Sequence, residues 1–268
     1  MSPRAGTPKL VATDLDGTLV RADGSVSAYT REVLAQLEDA GVPVIFVTGR
    51  PLRWTREVFE HVGSIGLAIV SNGALVWDVA ADTARLTRMI EPPLAADVAE
   101  QLAEHIPGIT FATESLAGWA CEPAYEALVA DRKQPVRRVG PIAELADEPL
   151  VKLLARKDGA DPDELLAAAT EVVGEAVTVT HSSFPLLEIS APGVTKASTL
   201  EVVCTELGVA SDEVIAFGDM PNDLPMLTWA GTSYAMADAH QSVVRCASHL
   251  APGHDDDGVA RVLAGVFG

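Results

Sequence analysis

The sequence predicts an α/β fold: a doubly wound parallel sheet whose run is interrupted by an α+β insertion. Three observations predict it. Short apolar runs recur and stop at polar or glycine-rich turns, as strands buried on both faces do. Segments of helical periodicity lie between several of them, which is the alternation of a parallel sheet. A middle stretch, from about Val79 to Leu187, breaks the alternation with a helix followed by paired strands, twice over.

In order, Leu10 to Thr13 reads as the first strand. Ser27 to Ala40, with Val33, Leu34 and Leu37 at helical spacing, reads as a helix stopped by Gly41. Val44 to Val47 is the second strand. Pro51 to Val62 opens with proline at a first helical position and closes at Gly63. Leu67 to Val70 is the third strand. In the middle stretch, Leu94 to Ile106 reads as a helix, and Ile109 to Thr113 and Gly118 to Glu122 as strands. A charged, proline-containing stretch runs from Asp131 to Pro149. Leu150 to Ala155 is a strand, Pro162 to Val173 a helix, and Val177 to Thr180 and Leu186 to Ile189 two more strands. The alternating pattern then resumes. A helix opens at Lys196 and ends at Gly208, and Val214 to Phe217 is a buried strand.

Composition narrows the partners. With 268 residues the chain can bury a sizeable core as one large or two smaller domains. Its formal charge of -19 repels nucleic acid and anionic membrane, so neither is an expected partner. An anionic substrate would need local positive charge or a metal. Three scattered cysteines, Cys121, Cys204 and Cys246, suit a reducing cytoplasmic setting. The segment Met1 to Gly6 does not read as a signal peptide, and no apolar stretch approaches the ~20 residues of a membrane span.

The chemistry concentrates where strands stop. Asp14-Leu15-Asp16-Gly17-Thr18 follows the first strand, and alternate residues of an extended chain point the same way. If that geometry persists, Asp14 and Asp16 face one pocket. Such a pair fits a metal site, a nucleophile with its acid/base partner, or two solvated turn residues. Thr48-Gly49-Arg50 follows the second strand, Ser71-Asn72-Gly73 the third, and Gly218-Asp219 the strand at Val214. In open α/β sheets ligands bind beyond these carboxyl ends. Thr48 can hold phosphoryl oxygens or cap the helix that follows. Arg50 matches phosphate geometry but also suits an exposed surface. Asn72 fits either a turn or a site. Lys196, at a helix N-terminus where a cation is disfavoured, fits best if an anion lies there.

These motifs together resemble the haloacid dehalogenase superfamily, specifically its Cof-like phosphatases with a type IIB cap. Asp14-Leu15-Asp16-Gly17-Thr18-Leu19, Val47-Thr48-Gly49-Arg50, Pro192-Gly193-Val194-Thr195-Lys196 and Gly218-Asp219-Met220-Pro221-Asn222-Asp223 match four family motifs in order. The resemblance implies a Rossmann-like core from residues 1–78 and 188–268, and an inserted α+β cap, 79–187, that covers the site and reads the leaving group. It implies a Mg²⁺-dependent phosphatase acting on small phosphorylated metabolites, with sugar phosphates leading, as a monomer or homodimer. Asp14 would be the nucleophile, forming an aspartyl-phosphate, and Asp16 the general acid/base. Thr48 and Lys196 complete the catalytic set, and Gly49, Arg50, Asn72 and Asn222 would bind substrate or phosphate. Asp14, Asp16 through its carbonyl, Asp219 and Asp223 would serve the metal.

An aspartate at position 16 favours hydrolysis or transfer at a phosphate oxygen over a persistent phosphoenzyme or dehalogenation. Two departures stand out: Ala237-Asp238 where the family often has glycine-asparagine, and His254 where it often has asparagine. Both bear on substrate assignment. In the cap, His181-Ser182-Ser183 and Glu188 are the candidates for facing the site. A specialised phosphatase for sucrose, trehalose or mannosylglycerate phosphates, and a non-catalytic phosphometabolite-binding regulator, are the alternatives. Loss of Asp14 or Asp16 would favour the regulator, and both are present.

Overall fold

The structure, a computed structural model, describes residues 7–62, 66–129, 135–182 and 185–268. Gly63 and Ser183 lie outside the described residues, as does part of the charged stretch after Asp131. The chain divides into two units. The first runs to Leu86 and resumes at Thr195; the second is Thr87–Val194.

In chain order, the first unit begins with β1 (Leu10–Thr13), α1 (Ala28–Asp39), β2 (Val44–Val47), α2 (Leu52–Val62), β3 (Leu67–Val70), β4 (Leu75–Asp78) and β5 (Thr83–Thr87). The second unit follows with α3 (Pro92–His105), β6 (Thr110–Ser115), β7 (Gly118–Cys121), α4 (Pro123–Leu128), β8 (Arg138–Val139), α5 (Ile142–Leu145), β9 (Lys152–Arg156), α6 (Pro162–Val173), β10 (Thr178–Thr180) and β11 (Leu186–Ser190). The first unit closes with α7 (Lys196–Leu207), β12 (Val214–Gly218), α8 (Leu224–Trp229), β13 (Thr232–Met236), α9 (Gln241–Cys246), β14 (His249–Ala251) and α10 (Gly258–Phe267).

The first unit's sheet has the order β14-β13-β12-β1-β2-β3-β4-β5. From β14 to β3 every neighbour is parallel, and β4 turns back antiparallel on β3. Period-two alternation sends each strand's residues to opposite faces. Val11 joins a cluster with Val33, Leu34 and Leu37 of α1, Val58 and Phe59 of α2, and Val259 and Leu263 of α10. Leu10 and Ala12 join another with Leu200, Val203 and Cys204 of α7, Met226 and Leu227 of α8, and Val243 of α9. Each fully buried aliphatic side chain contributes roughly 1.5–3 kcal/mol to holding a helix on its face. Helices therefore cover both faces, and the strand ends stay open to chemistry.

The second unit's sheet has the order β10-β11-β9-β6-β7-β8, antiparallel except for β7 with β8. The ladder sets Phe111, Ala155 and Leu187 side by side. Helices α3 and α6 lie against each other, with Ala95, Val98, Leu102, Leu165, Ala169 and Val173 buried.

The unit boundaries differ from 78/79 and 187/188. Thr83–Thr87 forms a strand in the first unit's sheet, which carries that unit on to Leu86. At the other crossing, Leu186–Ser190 pairs with β9 and β10, which keeps the second unit intact through Val194. No helix among the described residues is long and apolar enough to cross a membrane.

Candidate active site

Four neighbouring parallel strands, β12, β1, β2 and β3, deliver the motif residues to one end of the sheet. Asp14 follows β1, Thr48 follows β2, the turn Ser71–Gly73 follows β3, and Asp219 follows β12. The backbone N–H of Asp14 still donates to Phe217 O, at 3.1 Å, so it is held as the last rung of the ladder. Strand geometry then stops. The amides of Thr18, Leu19 and Val20 all turn back to the carbonyl of Leu15. The two aspartates consequently differ in burial and partners. Asp14 is buried, whereas the Asp16 side chain is 56% exposed and takes a two-pronged contact from Arg50, at 2.7 and 2.5 Å.

Lys196 is the centre of the buried arrangement. Thr195 caps α7, its hydroxyl accepting from the Ser198 amide while Ser198 Oγ accepts from the Thr195 amide. This fixes Lys196 as the first residue of the helix. Its Nζ donates to Asp14 Oδ1 and to Asp223 Oδ1, each at 2.6 Å, and the side chain is fully buried. Burial disfavours the ammonium, but Asp14 and Asp223 outweigh it and hold its pKa above the ordinary lysine range. The other oxygen of Asp223 accepts the backbone N–H groups of Asp219 and Met220, at 3.0 and 3.1 Å.

Asp219 completes a trio. Asp14, Asp219 and Asp223 each bring one carboxylate oxygen within 4.8 Å of the others. Burial raises the pKa of Asp14, against the pull of Lys196, and Asp223, Asp219 and Asp16 raise it further. Burial and Asp223 push Asp219 up to about 7, against a bond from Thr18 and the charge of Lys196. Three carboxylates thus share one ammonium, and the excess negative charge with all-oxygen donors fits a hard divalent cation such as Mg²⁺. The Asp16 carboxylate is not part of this trio.

Around it, Thr48 is buried and its Oγ1 accepts the Arg50 N–H at 3.0 Å, the turn-stabilising role a threonine at this position also suits. Gly49 and Arg50 continue that loop. Asn72 is buried at φ 57°, and its Oδ1 accepts from Asn222 Nδ2 at 3.1 Å. The Oδ1 of buried Asn222 has no hydrogen-bond partner among the described residues.

The family profile for haloacid dehalogenase-like hydrolases matches residues 11–263. The chain belongs to this family. Among its relatives is the 5-amino-6-(5-phospho-D-ribitylamino)uracil phosphatase YitU of Bacillus subtilis, 28% identical over 97% of this chain and 98% of the relative. Among solved structures, SMU.1108c of Streptococcus mutans superposes with a TM-score of 0.84, at 23% identity over 97% of this chain and 98% of the other. The subclass IIB sugar phosphatase BT4131 superposes at 0.81, with 18% identity over 97% and 100%. The chain is accordingly an enzyme of the phosphatase branch of the haloacid dehalogenase-like hydrolases, Cof-like in sequence and subclass IIB in fold.

The site includes contacts that were not read from the sequence. Thr18, quoted in the first motif without a role, donates to Asp219 Oδ1 at 2.8 Å. Gly17 stands at φ +72°, and a Cβ there would overlap Asp219 Oδ2. Gly73, at φ +105°, packs on the Thr195 carbonyl, and Thr199 donates to the Gly73 carbonyl at 2.8 Å. The glycines were visible as letters; their close approaches join segments about 120 to 200 residues apart, beyond any local pattern. In the second unit, His181 is buried with Nε2 2.9 Å from Asp163, tying β10 to α6. Glu188 accepts from Lys152 Nζ at 2.9 Å.

Proposed function

We propose that this hydrolase is a Mg²⁺-dependent phosphatase of small phosphorylated metabolites, sugar phosphates foremost, that works through a phosphoryl group carried on Asp14. The observation that carries this reading is the buried Lys196 bridging Asp14 and Asp223 beside Asp219. A carboxylate without a task would be a poor use of so costly an environment.

An oxygen of Asp14 attacks phosphorus in line, and the bond from phosphorus to the leaving oxygen breaks. Asp16, lying outside the buried trio, gives its proton to that oxygen. It then takes a proton from water, whose oxygen attacks the phosphoryl group. The bond to Asp14 breaks, releasing inorganic phosphate and restoring the carboxylate. Lys196 fixes the rotamer of Asp14 and balances charge in both steps. Arg50 is shared between Asp16 and the incoming anion, so substrate binding loosens Asp16 for its proton transfer. Thr48, the Gly49 amide, Asn72 and the open acceptor of Asn222 line the phosphoryl position and the water around it.

Asp14, Asp219 and the Asp16 carbonyl would hold Mg²⁺, with Asp223 orienting its shell. The ion would neutralise phosphoryl charge and draw electron density from phosphorus. The inserted unit would choose the leaving group. Three scattered cysteines, with no CxxC pair, support a cytoplasmic setting.

The test is release of inorganic phosphate from p-nitrophenyl phosphate with Mg²⁺, followed by a panel of phosphorylated metabolites. Turnover that needs the divalent ion and is lost in Asp14→Asn supports the reading. A folded chain inert with Mg²⁺, Mn²⁺ and Co²⁺ overturns it.

A further inference from the structure

The acidic turn His254-Asp255-Asp256-Asp257 has no part in the chemistry above, yet it is wired to both carboxylate-bearing loops of the first unit. Asp257 takes a two-pronged bond from Arg21, at 3.0 and 2.9 Å, and a third from Thr30 Oγ1 at 3.2 Å. Only 14% of its side chain is exposed, so this is a half-buried, geometrically specific pair. Asp255 Oδ1 accepts the Ala22 N–H at 2.9 Å. Thr30 in turn is bonded to Ser27, the N-cap of α1. These contacts grip the segment that leaves the Asp14–Val20 loop. Beyond Asp14 the loop's backbone bonds turn back on Leu15 rather than to the sheet, so contacts on the segment leaving it help to place it.

The other arm runs through His254. Its Nδ1 lies 2.7 Å from Asp238 Oδ2, outside hydrogen-bond alignment. Asp238 stands just beyond β13, next to β12, and its charge reaches Asp219. Two residues on, the His240 N–H donates to the Asp219 carbonyl at 2.8 Å. The two departures noted in the sequence, Asp238 and His254, are therefore each other's partners. Asp257 itself sits at φ +57°, a left-handed conformation that an aspartate holds at a cost.

We propose that the turn His254–Asp257 is a positioning clasp. Its Asp257 arm sets the Asp14–Asp16 loop, and its His254 arm sets the loop beside Asp219. The turn thereby fixes the spacing between the two halves of the site. This rests on the reading of Asp14 and Asp219 as phosphoryl and metal residues.

The experiment compares Asp257→Asn, which tolerates the left-handed backbone, with Arg21→Lys, Arg21→Met, His254→Asn and His254→Ala in the whole 268-residue chain. The probe is p-nitrophenyl phosphate with titrated Mg²⁺, at a temperature where each variant is folded. A displacement of about 1 Å at a reacting group costs on the order of a hundredfold in rate. Asp257→Asn and Arg21→Met are expected to lower kcat about ten- to a hundredfold, with KM within about threefold, and Arg21→Lys to recover part of the loss. His254→Ala is expected to raise the half-saturating Mg²⁺ concentration, and His254→Asn to raise it less. Variants that lose thermal stability while kcat and Mg²⁺ half-saturation stay within twofold of wild type would make the turn a structural brace and overturn the proposal. If Asp257→Asn fails to fold, the two Arg21 variants decide the first arm. A wild-type chain without turnover would instead refute the phosphatase reading itself.

Discussion

Each unit of the molecule buries a lysine among carboxylates, and the two arrangements differ in where those carboxylates stand. In the second unit Lys152 meets Glu188 at 2.9 Å on neighbouring strands of an antiparallel sheet, and buried Glu114 stands opposite Lys152 on the strand at its other side. In the first unit Lys196 meets Asp14 and Asp223 at 2.6 Å each, and Asp219 stands within the same cluster. Among the described residues, the carboxylates on that sheet form no group of three that could share a cation. The strand-end cluster gathers three carboxylates around its lysine, and burial first, then the neighbouring carboxylates, raises the pKa of Asp14 and Asp219. A buried lysine is therefore not a functional sign by itself. The uncompensated carboxylates around it are.

The sharpest way to break this comparison is to remove the nucleophile. Asp14→Asn should lower phosphatase turnover by at least about a thousandfold while the circular dichroism spectrum is unchanged. Next is the lysine. Lys196→Met leaves buried carboxylates without their partner, a loss of about 3–5 kcal/mol of stability in denaturant titrations. Added Mg²⁺ should restore part of it.

A third prediction concerns pH. Asp219 titrates at about 7 in the fold against an ordinary 3.8, so between those values the native state holds a proton that the unfolded chain releases. Its contribution to stability is complete below 3.8 and is lost as pH rises through about 7. With chelator present, Mg²⁺ addition beyond the chelator's capacity should therefore raise Tm more at about pH 8 than at about pH 5. Equal shifts would mean that the excess charge is not what the cation meets. The smallest effect belongs to the ionic group on the sheet. Replacing the whole buried group, Lys152→Met with Glu188→Leu and Glu114→Leu, should leave stability unchanged or raise it by about 1–4 kcal/mol. A large destabilisation would show that the two clusters are alike after all.

Much of the first unit was legible in the sequence, because strands buried on both faces read as continuous apolar runs. The runs at Leu10, Val44, Leu67 and Val214 all became strands of one sheet. Thr83–Thr87 was not legible. It is largely exposed, carries a single leucine and offers no alternation, so its membership of the sheet, and with it the unit boundary, came only from pairing. His249–Ala251 escaped for a similar reason, with His249 and Leu250 exposed at the sheet's edge. In the site, the motifs placed Asp14, Lys196, Asp219 and Asp223 at strand ends or helix starts, and the structure brings those four together. Asp14 and Asp16 were expected to face one pocket, and they differ in setting: Asp14 is buried, and Asp16 is exposed and held by Arg50. Alternation applies only while the backbone stays extended, and here it turns at Leu15. The pairing of Asp16 with Arg50, and of Asp257 with Arg21, joins residues that no periodicity connects.

The most direct measurement is to quench the enzyme in acid during turnover of p-nitrophenyl phosphate with Mg²⁺ and analyse its peptides by mass spectrometry. Asp16→Asn serves alongside wild type, because slowing the second step lets the intermediate accumulate. The account predicts one added phosphoryl group on the peptide bearing Asp14, absent in Asp14→Asn. Steady turnover with no phosphoryl group on Asp14, or turnover that survives Asp14→Asn, would contradict it.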